Sequence, residues 1–192
     1  MIKDRKNDLI VDIATGTGDL AIEALKTLNP SKIIGVDISE GMLNVGREKM
    51  IKLGIADKID MQMGDSEKLL FENNTFDTAI VSFGVRNFEN LLNGLSDINR
   101  VLKPKGTCLI LELTKPKSFP FKQLYWLYAT KILPTIGRLI SKDSRAYTYL
   151  PESIDAFPEG QNFLNIFKQA GFTETSATPL TFGTCTVYIG KK

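Results

Sequence analysis

Leu9-Ile10-Val11-Asp12-Ile13-Ala14-Thr15-Gly16-Thr17-Gly18-Asp19-Leu20 sets the architecture of this 192-residue chain. The segment opens with an apolar run of strand length broken only by Asp12, the pattern of a parallel strand buried on both faces. A glycine-rich turn follows, and then a segment of helical period over about Asp19 to Leu28. The same alternation recurs downstream. Lys32 to Asp37 reads as a second strand, and Ser39 as the N-cap of a helix reaching about Leu53. A third strand is expected over Lys58 to Met63 and a fourth over Phe76 to Phe83. Phe88, Leu91, Leu92, Leu95, Ile98, Val101 and Leu102 then recur at spacings of three and four, one apolar stripe facing the sheet. Lys103-Pro104-Lys105-Gly106 is expected to stop that helix, with Thr107 to Leu113 as the fifth strand. Such alternation predicts a doubly wound α/β sheet with ligands beyond the carboxyl ends of its strands.

After Thr114 the rhythm breaks. Lys115 to Pro158 holds five of the eight prolines, several aromatics and no strand-like run, and reads as helices inserted over the carboxyl edge of the sheet. A helix near Gly160 to Ala170 and two strands, about Phe172 to Pro179 and Phe182 to Ile189, close the chain as an antiparallel pair. No repeat, low-complexity tract or linker interrupts it, so a single domain is expected over residues 1–192.

Composition excludes several classes of function. With 24 basic and 22 acidic residues the net charge is +2, too small for the electrostatic footprint of a nucleic-acid binder. No apolar run approaches the roughly 18 residues of a spanning helix. No signal peptide is expected at the N-terminus, because the apolar stretch behind it soon meets Asp12, and a cytoplasmic location is expected. Two distant cysteines, Cys108 and Cys185, make no disulfide framework and are expected to pack as buried thiols. Histidine is absent, which removes Ser-His-Asp and Cys-His centres, histidine metal sites and the commonest general base. No metal site is expected.

The loop after the first strand has two functional readings beyond a tight βα turn. Read as a dinucleotide fingerprint, its three glycine positions hold Ala14, Gly16 and Asp19. Asp19 then puts a carboxylate where a pyrophosphate should sit, at a helix N-terminus, and repels it. S-adenosylmethionine has no phosphate, and its ammonium and sulfonium are cations that acidic groups favour. Asp37, nineteen residues after Gly18, is placed to accept both ribose hydroxyls, and Gly64-Asp65-Ser66 can hydrogen-bond the adenine edge. Simpler roles exist, Asp37 as a loop acid and Asp65 as a cap, but three such sites at successive strand ends favour the methyl donor.

The sequence then resembles a known family. Asp12-Ile-Ala-Thr-Gly-Thr-Gly-Asp-Leu20, Gly35-Val-Asp-Ile-Ser-Glu-Gly-Met-Leu43 and Asn74-Thr-Phe-Asp77 look like class I S-adenosylmethionine-dependent methyltransferases. Ser82-Phe-Gly-Val-Arg-Asn87, Arg100-Val-Leu-Lys-Pro-Lys-Gly-Thr-Cys-Leu-Ile-Leu-Glu-Leu-Thr114 and Tyr147-Thr-Tyr-Leu-Pro-Glu-Ser-Ile154 are similar to the ubiquinone/menaquinone biosynthesis C-methyltransferases. The resemblance implies a Rossmann-like seven-stranded sheet, mostly parallel with an antiparallel C-terminal strand. It also implies methylation of a ring carbon on a prenylated quinol, demethylmenaquinol being slightly preferred. Cofactor contacts are then expected at Asp12, Gly16, Thr17, Gly18, Asp37, Asp65, Ser66 and Ser82. Departures from the pattern are Lys105 in place of a usual glycine, Thr114 in place of a serine, and Ala14-Thr15 where Ala-Gly or Gly-Gly is frequent. The family also carries an N-terminal Tyr-Asp…Asn…His…Trp signature. This chain starts just before its first strand and has no histidine, so that segment is expected to be missing from it.

Catalysis is expected at Arg86 and Asn87, just beyond the fourth strand. A guanidinium there stabilises a developing phenolate, and Asn87 orients the hydroxyl or a water. The competing structural roles are an ion pair of Arg86 with a surface acid and, for Asn87, the cap of the helix starting near Phe88. Asp19 and Glu112 are further strand-end acids, Glu112 equally well explained as partner of a basic side chain. Phe119, Phe121, Tyr125, Trp126 and Tyr128 read as a pocket for a flat ring and its tail, or as the inner face of a lid helix. Tyr147 and Tyr149 are lesser candidates. Lys131, Arg138, Lys142 and Arg145 offer peripheral contact with anionic lipid, although a solvated face explains them more simply. The sequence leaves a homo-oligomer open. It also leaves open a methyltransferase for another apolar small molecule and a non-catalytic partner of quinone-pathway enzymes.

Overall fold

A computed structural model describes residues 7–127 and 152–192. Strands and helices alternate as β1 (Leu9–Ile13), α1 (Asp19–Leu28), β2 (Lys32–Asp37), α2 (Glu40–Leu53), β3 (Ile59–Met63), β4 (Phe76–Ser82), α3 (Leu91–Val101) and β5 (Leu102–Leu113). A short helix α4 (Phe121–Leu127) follows, residues 152–156 are helical, and α5 (Gln161–Gln169), β6 (Thr173–Leu180) and β7 (Cys185–Lys191) complete the fold. The seven strands form one sheet in the order β3-β2-β1-β4-β5-β7-β6. β7 is antiparallel to β5 and to β6, and the pairings among β1 to β5 are parallel. This is the Rossmann-like sheet expected. The strand order reverses at β1, whose neighbours are β2 and β4, and that switch point opens a crevice at the strands' carboxyl ends.

Alternate residues of each central strand feed two cores. Ile10, Ile33, Ile59, Met61 and Ile80 pack with Ala21, Ile22 and Ala24 of α1 and Leu43 and Met50 of α2. Val11, Ile13, Val36, Ala79, Val81, Cys108 and Ile110 pack on the other face with Leu95, Ile98 and Val101 of α3 and Phe163 and Phe167 of α5. The apolar runs therefore read as continuous because both faces of the sheet are covered. Ser39 caps α2 as expected, accepting the Met42 N–H at 3.4 Å.

Several boundaries differ from the sequence expectation. Val85–Asn87 form a 3-10 turn with Phe88 extended behind it, and Asn90 rather than Asn87 caps α3, accepting the Asn93 N–H at 3.0 Å. Lys103-Pro104-Lys105-Gly106 does not separate helix from strand. It lies inside β5 as an irregular stretch, with Leu102 opposite Phe76 and Thr107 opposite Thr78. Pro104 has no N–H for the ladder and Lys105 sits at φ 67°, so the extra residues loop out while pairing resumes beyond them. Phe182, expected in the last strand, lies in the turn before it at φ 58° and stacks on Phe121 with ring centroids 4.0 Å apart. Cys108 is fully buried, and burial pushes its thiol up. Cys185 is only partly buried, which corrects the expectation for that thiol, because it begins β7 at the hairpin turn.

Candidate active site

The loop after β1 is built by backbone geometry that its residue types permit. Ala14, Gly16 and Gly18 all have positive φ, at 53°, 58° and 79°. A Cβ on Gly18 would lie 2.4 Å from Met50 Cε, so glycine serves there both for its conformation and for the contact with α2. Thr15 ties the loop inward. Its N–H donates to the Val36 carbonyl at 3.0 Å and its hydroxyl to Asp12 Oδ2 at 2.6 Å. Gly16 N–H donates to Asp37 Oδ2 at 2.8 Å, which fastens the loop to the end of β2. Asp37 Oδ1 accepts the Ser39 N–H at 2.9 Å. A carboxylate offers about four lone-pair positions, so Asp37 retains acceptor capacity toward the cavity it lines.

A cavity of about 580 Å³ occupies the crevice at the switch point. Asp12, Gly16, Thr17, Asp37, Asp65, Ser66, Ser82 and Asn87 all line it, so the fold brings these predicted residues to one place. Gly18 is not on its wall. It is the N-cap of α1 and shapes the loop from behind. Asp65 also caps its own turn, accepting the Glu67 N–H at 2.8 Å. Arg86 does not line this cavity either. Its Nη1 donates to Glu112 Oε1 at 2.7 Å, and Glu112 is fully buried. Arg86 is therefore ion-paired, but with a fully buried acid and not with the surface acid expected.

Sequence reasoning missed the apolar lips of the cavity. Ile38, Met42 and Phe83 line it although each is exposed, an arrangement suited to gripping a flat ring from two sides. Phe83 follows β4 at φ 56°, and a Cβ on the next residue, Gly84, would lie 2.6 Å from Ala14 Cβ. The loops after β1 and β4 therefore meet closely, and both carry a left-handed non-glycine residue at the cavity wall, where backbone strain concentrates in functional sites. The available signal was an apolar residue directly after each strand-end polar group: Ile38 after Asp37 and Phe83 after Ser82.

Charge separates the ligand classes. Asp12, Asp19, Asp37, Asp65 and Glu67 line the cavity, and no lysine or arginine among the described residues does. Lys49 stands close by, donating to Asp19 Oδ1 at 2.8 Å and to Thr17 Oγ1 at 3.1 Å. Its hydrogen bond, with that of Thr17, holds the Asp19 carboxyl below its ordinary value. Asp12 goes the other way. Burial pushes its carboxyl up to about 7, outweighing the hydrogen bonds from the Thr15 side chain and the Ala21 backbone. Asp12 Oδ1 is buried without a protein partner, an acceptor left open beside the cavity. Such a wall repels a pyrophosphate and suits a ligand carrying an ammonium and a sulfonium. The residues present therefore fit S-adenosylmethionine.

Comparison with known proteins agrees with this chemistry. The model of the ubiE/COQ5 methyltransferase family matches residues 1–192. The chain belongs to that family. Its relatives include the demethylmenaquinone methyltransferase of Bacteroides fragilis, 49% identical over 191 residues that cover 100% of this chain and 78% of that protein. The ubiquinone/menaquinone biosynthesis C-methyltransferase UbiE of Geobacter sulfurreducens is 42% identical, covering 95% of this chain and 72% of its own length. Among solved structures, a SAM-dependent methyltransferase from Aquifex aeolicus superposes with a TM-score of 0.66 at 18% identity, over 97% of this chain and 83% of that one. A putative methyltransferase from Bacillus halodurans gives 0.68 at 18% identity, over 98% and 94%. These two likenesses concern the fold.

The remaining expectations distribute unevenly. Phe121 packs on Phe182, Tyr125 is half-buried with its phenol pushed up by burial, and Phe119 and Trp126 are exposed. None of these four lines the acidic cavity. Tyr128, Lys131, Arg138, Lys142, Arg145, Tyr147 and Tyr149 lie outside the described residues.

Proposed function

We propose that this chain transfers a methyl group from S-adenosylmethionine to a ring carbon of a prenylated quinol, demethylmenaquinol being the preferred acceptor. The observation that carries the reading is the cavity lined by carboxylates, with no basic residue among the described residues, at the switch point of a ubiE/COQ5 chain. The Bacteroides fragilis relative, named for demethylmenaquinone, favours the naphthoquinol.

In this reading Asp37 accepts the ribose hydroxyls, Asp65 and Ser66 meet the adenine edge, and Asp12 with Gly16, Thr17 and Ser82 surrounds the methionine part. Gly18 contributes by shaping the loop. When bound, S-adenosylmethionine supplies an electrophilic methyl group on a cationic sulfur. Transfer is an in-line displacement governed by placement, so no protein nucleophile is needed. Arg86 stabilises the negative charge that develops on the acceptor's ring oxygen, and Asn87, on the wall between the acceptor and the cavity, orients that hydroxyl. With no histidine in the chain, the proton leaves through a carboxylate, a tyrosine or water.

A prenylated acceptor resides in a bilayer. Exposed Phe119, Leu124, Trp126 and Leu127 beside Lys117 and Lys122 support peripheral contact with a membrane surface. No helix among the described residues is long and apolar enough to cross one. Titration calorimetry with S-adenosylmethionine, followed by a quinol methylation assay, tests the function. Saturable one-to-one binding with methylated quinol as product is the expected result, and a folded chain that binds no methyl donor would overturn the reading.

A further inference from the structure

Two consecutive residues of the turn after β4 face different spaces. Asn87 lines the acidic cavity, whereas Arg86 lines a second cleft of about 430 Å³, and Phe88 borders both. Val85, Leu91, Phe157 and Pro158 give the second cleft apolar walls, and among the described residues Glu152 is its other charged one. Its composition suits an apolar ring with one polar substituent.

Arg86 is held there by Glu112. Glu112 Oε1 accepts Arg86 Nη1 at 2.7 Å and Oε2 accepts the Arg86 backbone N–H at 3.2 Å. Arg86 Nη1 also donates to the Phe83 carbonyl at 2.6 Å. One fully buried carboxylate thus fixes both the backbone and the head of an arginine whose side chain is 12% exposed. Arg86 Nε is buried and meets no protein acceptor. An ion pair serving the fold alone is readily replaced by apolar side chains of similar volume, and leaving a buried donor unmet adds to its cost. This pair stands beside a cleft that shares Phe88 with the acidic cavity.

We propose that the second cleft takes the hydroxyl-bearing ring of the acceptor, and that Glu112, acting through Arg86, sets the position of the ring oxygen. Glu112 is a positioning residue and does not touch the acceptor. The inference rests on the proposed function, which makes the acceptor a hydroxylated aromatic ring. Within it, the Arg86 guanidinium meets the charge developing on the ring oxygen while Glu112 keeps that guanidinium from swinging out of line.

The test is a double-mutant cycle on Arg86→Ala and Glu112→Gln. Binding of 1-naphthol, measured calorimetrically with S-adenosylhomocysteine present, needs no turnover. Each single variant is expected to bind naphthol about 10- to 100-fold more weakly, and the double variant no more weakly than Arg86→Ala, with affinity for the methyl donor unchanged throughout. In the quinol assay Glu112→Gln is expected to lower kcat by a similar factor. Additive effects, unchanged naphthol binding in Glu112→Gln, or a wild-type chain that does not bind naphthol would each overturn the proposal. If Glu112→Gln does not fold, Glu112→Asp keeps the charge and shortens the side chain; naphthol affinity equal to wild type in that variant overturns the proposal too. Coupled naphthol binding without quinol methylation by the wild type would count against the proposed function while supporting the positioning role. Wild-type rates in Glu112→Gln would do the reverse.

Discussion

The Asp37 carboxylate, at the end of β2, accepts the Gly16 N–H at 2.8 Å, so the side chain assigned to the ribose also anchors the loop that follows β1. With the Ser39 N–H on its other oxygen, Asp37 joins two walls of one cavity. Binding and loop conformation are therefore coupled through a single residue.

Asp37→Ala should accordingly show two losses. Removing a charged acceptor is expected to cost about 1.5–3 kcal/mol of S-adenosylmethionine binding. Leaving the Gly16 and Ser39 N–H groups unmet should cost a further 1–3 kcal/mol or so of folding stability. Calorimetric titration and denaturant unfolding measure the two separately, and a variant that keeps its stability while losing affinity would mean that the anchoring bonds are replaced by water.

If Asp12 meets the proposed cofactor, binding is expected to depend on pH. Its carboxyl, near 3.8 in an unfolded chain, is raised to about 7 by burial. Because the folded value is the higher, the stability this group contributes is fully present below about pH 4 and is lost as the pH climbs through about 7. A cation in the cavity favours the carboxylate. Binding of S-adenosylmethionine should therefore release a proton below about pH 7, and affinity should rise with pH before levelling off above it. Calorimetry in buffers of different ionisation enthalpy counts that proton. Asp12→Asn should release none, and equal proton release by variant and wild type would remove Asp12 from the role.

Gly18→Ala is expected to destabilise the protein by about 1–3 kcal/mol, since it forces an L side chain to a left-handed conformation. The φ there is 79°, and the added Cβ would lie 2.4 Å from Met50 Cε. Introducing Met50→Ala as well should relieve the contact and leave the backbone strain, so recovery after correcting for the Met50 cavity should be partial. Full recovery in thermal unfolding would show that the contact alone requires glycine.

Lys49 and Asp19 form an ion pair at 2.8 Å in which Asp19 is largely exposed. Its contribution to stability should be under about 1 kcal/mol. The Lys49 hydrogen bond is the first cause of the lowered Asp19 carboxyl. A lowered folded value gives a contribution that is present above the unfolded value and lost as the pH falls through the folded one. Lys49→Met should return the Asp19 titration, followed by NMR, toward its ordinary range with little change in unfolding free energy. A large loss of stability would mean that Lys49 supports more than this pair.

Local pattern was enough for the alternation of strands and helices, for the glycine loop and for the acids at strand ends. Apolar periodicity reports burial within one element, and a strand-end residue in a doubly wound sheet has one place to go. That is why Asp12, Asp37 and Asp65, each at or beside a different strand, could be assigned to one crevice before any packing was known. The acidity of the loop also disfavoured a pyrophosphate from sequence alone, because a charge at a helix N-terminus acts locally.

Long-range packing settled the rest. Arg86 and Glu112 are 26 residues apart, and they meet because β4 pairs with β5 in a register that sets Ser82 against Leu111. That register depends on residues 103–106 looping out of β5, which a local reading of Pro104 and Gly106 turned into a helix stop. The exposed grip of Ile38, Met42 and Phe83 likewise exists only where separate loops converge. Periodicity along a chain reports which residues are buried in their own element; which side chains face each other across a sheet is decided by register and by the closing of loops, and those belong to the assembled fold.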